Sequence, residues 1–296
     1  MEGLSIKLPL VAIVGPTASG KTSLAIRLEK EFRGEIICAD SRTIYRGMDI
    51  GTAKPTPEEQ ALVPHWGLDL VNPGERFTVA DFQKYALKKI DEIRARGRIP
   101  FLVGGTGLYV DSVMFAYEFP DTPVDAELKK ELESMTIDGL QDYCNKNNIN
   151  LPENKKNKRY LINSILRQGS QLKRRLTPIS SSFIVGIATE KEVLLKRIAD
   201  RSEQIFVDGV VEEAKHLGER YGWESEAFTG NIYPLVQSYL QGEHTLPEIK
   251  AKFRILDWRL AKRQLTWLKR NEHIHWLPLD EAYTYCARLL AEANNL

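Results

Sequence analysis

Residues Gly15 to Thr22 read GPTASGKT and fit the spacing G-x-x-x-x-G-K-[ST]. In that pattern glycines let backbone N–H groups turn inward around phosphate oxygens, a lysine neutralises them, and a hydroxyl reaches a divalent cation. Here Gly15, Pro16, Thr17, Ala18, Ser19, Gly20, Lys21 and Thr22 would cradle two adjacent phosphates, with Thr22 the ligand for Mg²⁺. The loop by itself does not choose between an isoprenoid diphosphate and the β,γ-phosphates of ATP. Asp40 directly follows a second aliphatic run, Glu35 to Ala39, so it should stand at the ligand edge of a sheet beside that loop. A carboxylate there suits a general base; the same position would also suit a water-mediated Mg²⁺ ligand or a cap for the next segment. Gly104 to Gly107 (GGTG), after a further aliphatic run, places another flexible polar loop on the same edge.

The elements that must position these loops alternate. Leu8 to Val14 reads as a strand and Lys21 to Phe32 as a helix. Glu35 to Ala39 and Ile99 to Val103 read as strands, with a weaker one at Gly67 to Val71. Thr78 to Asp81 has the form of a capping box opening a helix that runs to Gly97. Such alternation implies an α/β fold with a parallel, P-loop NTPase-like sheet core. From residue 120 to 180 the pattern turns helical (Asp125 to Ser134, Gly139 to Asn145, Lys158 to Gln168), and strand character returns at Phe183 to Ala188 before a helix from Glu190 toward Val207. The expected organisation is a catalytic core of residues 1–117 and 181–296, interrupted by a helical insertion at 118–180. The C-terminal third is helical, with Arg259, Lys262, Arg263 and Arg270 near one face and Leu256, Leu260 and Trp267 near another, then a short strand at Ile274 to Leu277.

The chain has 296 residues with 43% hydrophobic and 27% charged, which excludes disorder and a disulfide-dependent miniprotein. Its 3 cysteines lack C-x-x-C spacing, no apolar run approaches membrane-spanning length, and Met1 to Pro9 has no leader pattern. A reducing, cytoplasmic setting is therefore expected. The net charge of +1 hides a segregation. Glu118 to Asn145 holds 8 acids and 2 bases, Asn154 to Pro178 has 8 bases and no acid, and Lys250 to Arg270 has 8 bases against Asp257 alone. Either basic run alone could be a solvated face; the pair beside a phosphate loop suggests a polyanionic partner.

Three longer stretches resemble bacterial tRNA dimethylallyltransferase (tRNA isopentenyltransferase): Gly15 to Thr22, Asp40-Ser41 with Tyr45 to Pro55 (YRGMDIGTAKP), and Val103 to Tyr109 (VGGTGLY). Leu260 to Trp267 (LAKRQLTW) resembles the late helix of that family, and Arg201 stands 8 residues before Gly209. Matched residue by residue, the resemblance implies that Asp40 is the base, Lys21 and Arg201 meet the pyrophosphate, and Asp40, Ser41, Arg42, Thr43 and Thr106 meet the target nucleotide. It further implies that Lys129 is a basic tRNA contact. Lys158 and Arg159 in the insertion and Arg263 on the late helix would grip the anticodon stem. Departures fall at Ile232, Tyr233 and Pro234, at Trp258 and Arg259, and in the insertion around Arg159 and Asn163.

The resemblance implies transfer of a dimethylallyl group from dimethylallyl diphosphate to N6 of the adenosine 3′ of the anticodon, with Mg²⁺, by an enzyme expected to be monomeric. An adenylate isopentenyltransferase would use the same site on a free nucleotide, but the insertion and the basic C-terminal third are more than a mononucleotide needs. A small-molecule kinase would share the phosphate loop, and an RNA-binding relic without catalysis would share the basic runs.

Overall fold

The computed structural model describes residues 8–119, 125–169 and 173–294. Residues 1–7 of the N-terminal stretch and Asp121 of the acidic run lie outside them. Strand β1 (Leu10–Val14) runs into the phosphate loop, which opens α1 (Lys21–Phe32); β2 (Gly34–Cys38), α2 (Pro57–Leu62), β3 (His65–Trp66), α3 (Val79–Ala95), β4 (Ile99–Gly104) and α4 (Gly107–Met114) follow. Next come α5 (Ala126–Ser134), α6 (Ile137–Lys146) and α7 (Lys158–Leu166). The core then continues with β5 (Ser182–Ile187), α8 (Lys191–Val207), α9 (Val210–Tyr221), α10 (Tyr233–Leu240), α11 (Leu246–Leu268), β6 (Ile274–Leu277) and α12 (Leu279–Asn294).

The strands form one sheet in the order β3-β2-β4-β1-β5-β6, and every pairing is parallel. The expected α/β architecture is what the chain adopts. Every residue of β1 is fully buried, because both of its edges are paired and helices cover the sheet. Leu24, Ala25 and Leu28 of α1 and Ala282, Cys286 and Leu290 of α12 pack with Val11, Ile13, Phe101 and Val185. Burial of each of the leucine, isoleucine, valine and phenylalanine side chains among them is worth about 1.5–3 kcal/mol. The capping box at Thr78 forms in both directions: Asp81 N–H donates to Thr78 Oγ1 at 3.2 Å and Thr78 N–H to Asp81 Oδ2 at 2.8 Å.

One expectation needs correction. The third strand is His65–Trp66 rather than Gly67 to Val71. Gly67 (φ +85°) and Asp69 (φ +53°) both take left-handed conformations that break extended pairing. Along α11 the buried stripe is Ile249, Phe253, Asp257, Ala261 and Leu268, while Leu256 and Leu260 are only half-buried. Leu256, Leu260 and Trp267 do lie apart from the exposed Arg259, Lys262, Arg263 and Arg270, and the fully buried stripe beside them carries an acid.

The chain divides into two compact units, one comprising Met1–Ala116 and Leu176–Leu296 and the other Tyr117–Arg175. The smaller unit has a core of its own: Leu132, Leu140, Cys144, Leu161, Ile162 and Ile165 are buried together among α5, α6 and α7. Asp125 and Thr136 cap α5 and α6 with side-chain oxygens, as helix starts require. Among the described residues no helix is long and apolar enough to cross a membrane.

Candidate functional site at the phosphate loop

The loop turns because Gly20 (φ +93°) stands left-handed immediately before α1, a conformation glycine takes without steric cost. This presents the helix N-terminus, with its unpaired N–H groups and positive dipole end, to whatever the loop holds. Lys21, the first residue of α1, curls back so that Nζ donates to Pro16 O at 2.6 Å. Its ammonium is pulled down to about 8, chiefly by burial, with Asp40 opposing the shift and Arg201 adding to it. The base candidate and both cation candidates from the sequence therefore share one electrostatic neighbourhood.

Thr17 is held twice. Its N–H donates to Gln264 Oε1 at 2.7 Å, and its Oγ1 accepts from Arg201 Nη1 at 2.5 Å. Arg201 is itself paired through Nη2 with Asp257 Oδ2 at 2.5 Å. Asp257 is 1% exposed; burial pushes its carboxyl up while the Arg201 guanidinium pulls it back down. Arg197 reaches the outer side of the loop, donating to Ser19 O at 3.3 Å and Ala18 O at 3.4 Å. Ser19 Oγ and Arg201 Nε are buried without a hydrogen-bond partner among the described residues. Buried polar atoms are rarely left unpaired in a finished structure. Both atoms stand beside the phosphate loop, where an anion could pair with them.

Asp40 follows β2. Its Oδ1 accepts from Arg42 N–H at 2.8 Å, so one carboxylate oxygen shapes the turn that the sequence also allowed. The glycine loop meets it: Thr106 N–H donates to Ala39 O at 3.2 Å, and Ser41 N–H donates to Thr106 Oγ1 at 3.1 Å. Thr43 is buried, with Oγ1 3.5 Å from Asp40 O. The Arg42 guanidinium donates to Glu226 O at 3.0 Å, Ala227 O at 3.4 Å and Thr229 Oγ1 at 3.0 Å, which fastens the turn to the 3-10 segment Glu226–Thr229.

The polar stretch after Asp40 is braced from beneath. Glu213 of α9 accepts three successive backbone N–H groups, from Asp49 (2.8 Å), Ile50 (2.7 Å) and Gly51 (2.9 Å), and also the Tyr233 hydroxyl at 2.9 Å. The Lys54 ammonium is buried, paired with Asp49 and Asp69, and bonded to Tyr45 O at 3.0 Å. Of the departures, Ile232 and Tyr233 are buried in the core around α9 and α10, and Trp258 packs against the cluster of Leu194, Ile198 and Ala261.

Helix α11 has two different faces. Inward it supplies Asp257 and Gln264, and Trp267 Nε1 donates to Asp111 Oδ2 of α4 at 2.7 Å. The indole lies where a side chain on Gly107 would clash, so the glycine loop closes directly on it. Outward, Arg259, Lys262 and Arg263 are exposed. In the smaller unit, Lys129 pairs with Glu133 at 3.4 Å, Lys158 Nζ donates to Glu133 O at 2.6 Å, and Arg159 is exposed.

Asp40, Lys21, Arg201, Gly15 to Thr22, Ser41 and Thr106 thus belong to one neighbourhood of loops and helix residues within the larger unit. Lys129, Lys158 and Arg159 belong to the other unit. Sequence reasoning missed Asp257, Arg197 and Glu213, and it gave Gln264 and Trp267 only as members of the Leu260 to Trp267 stretch, without a role. Asp257 did carry a signal, as the one acid in a run of 8 bases.

The model of the IPP transferase family matches residues 43–271. Over 289 residues the chain is 38% identical to the tRNA dimethylallyltransferase of Acetivibrio thermocellus, covering 92% of each protein. Among solved structures it resembles the full-length tRNA isopentenylpyrophosphate transferase from Bacillus halodurans, with 37% identity and a TM-score of 0.74, over 98% of this chain and 99% of that one. The corresponding enzyme from Staphylococcus epidermidis has 32% identity and a TM-score of 0.72, over 98% and 100%.

Proposed function

The chain belongs to the IPP transferase family, and on that premise we propose that it prenylates tRNA, moving a dimethylallyl group from dimethylallyl diphosphate to N6 of the adenosine 3′ of the anticodon. The observation that carries this reading is the convergence of Asp40, Lys21 and Arg201 around one phosphate loop. The exocyclic amine of adenine has its lone pair delocalised into the ring, so its attack on the allylic C1 needs a base to take the N6 proton as the C–N bond forms. Asp40 fills that role. The C1–O bond breaks in the same displacement, and diphosphate leaves with growing charge. Lys21, Arg201 and the loop N–H groups meet that charge, so they stabilise the transition state more than the ground state.

The residues also fit Mg²⁺. Among the described residues no cluster of three His, Cys, Asp or Glu side chains forms a protein cage. Mg²⁺ bound to a diphosphate usually needs only one or two protein ligands beside phosphate and water. Thr22 would hold it at the start of α1, and when bound it supplies further charge neutralisation to the leaving group.

A base within a stack cannot reach loops of this kind, so the adenosine is flipped out of the anticodon loop. The outward cations of α11, Arg263 among them, and Lys129, Lys158 and Arg159 of the smaller unit serve as phosphate contacts to the RNA backbone. Its place of work is with its tRNA, in the cytoplasm. Mass spectrometry of nucleosides from unmodified tRNA incubated with the protein, dimethylallyl diphosphate and Mg²⁺ tests the reading. One adenosine per substrate tRNA should gain a dimethylallyl group. Prenylation of free adenylate but not of tRNA would overturn it, as would consumption of ATP with the tRNA unchanged.

A further inference from the structure

The side chain of Gln264 reaches into the phosphate loop from 247 positions away in sequence. Its Oε1 takes the Thr17 N–H at 2.7 Å, a short, well-formed bond. Its Nε2 lies against Gly105 so closely that a Cβ there would overlap it, and the same Cβ would come within 3.2 Å of Gly15 O. One amide is thus wedged between the loop that takes the donor and the loop whose Thr106 supports Ser41 beside Asp40.

The other bond at Thr17 gives this wedge a chemical consequence. Thr17 Oγ1 accepts a hydrogen bond from Arg201. A hydroxyl that accepts from a guanidinium, which can only donate, keeps its own proton for a further acceptor. With the peptide fixed by Gln264 and the oxygen fixed by Arg201, that proton has a set direction. Asp257 and Gln264 stand 7 residues apart on α11, two turns along one face, so a single helix governs both restraints.

We infer that Gln264 is a positioning residue for the transfer reaction: it holds the Thr17 peptide so that the phosphate loop is preset for a diphosphate, and it spaces that loop from the glycine loop beside Asp40. The inference rests on the donor-site reading above. Pyrophosphate should bind more weakly once the acceptor is gone, and turnover should fall because the two loops lose their common spacer. The KM for tRNA should not change.

Inorganic pyrophosphate, titrated calorimetrically into the intact protein, is the probe. Gln264→Met keeps an unbranched side chain of similar length but removes the amide. It should weaken pyrophosphate about tenfold or more, the scale of one hydrogen bond to a preset site. It should also speed amide hydrogen exchange in the peptide spanning residues 15–22 while leaving the melting temperature and the KM for tRNA as they were. Gln264→Glu retains an oxygen for the Thr17 N–H. It should keep the slow exchange yet weaken pyrophosphate through charge repulsion, a split that simple loss of packing would not produce. Equal pyrophosphate affinity and equal exchange in wild type and Gln264→Met would overturn the role of Gln264 and leave the donor site standing. A wild-type protein that does not bind pyrophosphate would overturn the donor-site reading itself.

Discussion

The phosphate loop and the smaller unit both present cations, but they hold them in opposite ways. Lys21 and Arg201 are half-buried, and Lys21 Nζ and both terminal nitrogens of Arg201 are held by named partners in the larger unit. Lys155, Lys156 and Arg159 stand exposed on a unit whose own core keeps α5, α6 and α7 together. A cation fixed by neighbours costs no reorganisation when charge develops beside it, which suits a leaving group. A cation on a long exposed side chain adapts to an irregular backbone, which suits a polynucleotide. On the proposed reading, chemistry and grip are separated by how tightly each charge is tied down.

The largest blow to this contrast should come from the base. Asp40→Ala is expected to lower turnover on the order of 10²-fold or more while leaving tRNA affinity nearly unchanged. Unchanged turnover in single-turnover assays would remove Asp40 from the chemistry. Next in size, Lys21→Ala should weaken inorganic pyrophosphate by about 10- to 100-fold, the range for a charged hydrogen bond in a prepared site, with tRNA binding intact. Equal losses of both would mean that the two regions are not separate.

The pH dependence sharpens the same point. Lys21 holds its proton below about 8, and only the protonated form neutralises a diphosphate. Pyrophosphate affinity in the free protein should therefore be full at pH 7 and decline as pH rises through about 8, a decline absent from Lys21→Ala. The smallest effect belongs to the exposed cations. Replacing Lys155, Lys156 and Lys158 together by alanine should reduce the slope of log tRNA affinity against log salt by about 0.7 to 0.9 for each phosphate contact removed, without altering the KM for the isoprenoid diphosphate. Identical slopes would show that this unit does not hold the RNA.

What could be read from the sequence followed the physics of exposure. β1, α1, β2 and β4 were legible because an aliphatic run broken by glycine, or a helix with one wet face, leaves a period in the residues. α4 was not, since Tyr109, Val110, Val113 and Met114 are all buried and a helix without a polar face has no such period. The third strand was misplaced because it is only two residues long, and the aliphatic residues after it belong to a turn. At the site, the loop and Asp40 were visible as local spacing. Gln264, Asp257 and Glu213 act across 247, 56 and 162 to 164 residues, and local spacing, even in the stretch that contains Gln264, does not record the partner. Asp257 differs in kind: it stands out in the sequence as an acid alone in a basic run, and its partner is Arg201.

The central position of β1 also dictates how the chain must be born. Its partners are β4 on one side and β5 on the other, and β5 begins only at Ser182, after the whole smaller unit has been synthesised. At about 5–20 residues per second, a nascent chain carries the fully apolar Leu10–Val14 with an unpaired edge for roughly ten seconds or more. Such an edge is a template for wrong pairing, so chaperone demand and aggregation should peak before ribosomes pass the β5 codons. In refolding, the slow step should be the arrival of β5. Ribosome-stalled chains ending before Ser182 should be protease-sensitive, and those with β5 clear of the exit tunnel should become resistant.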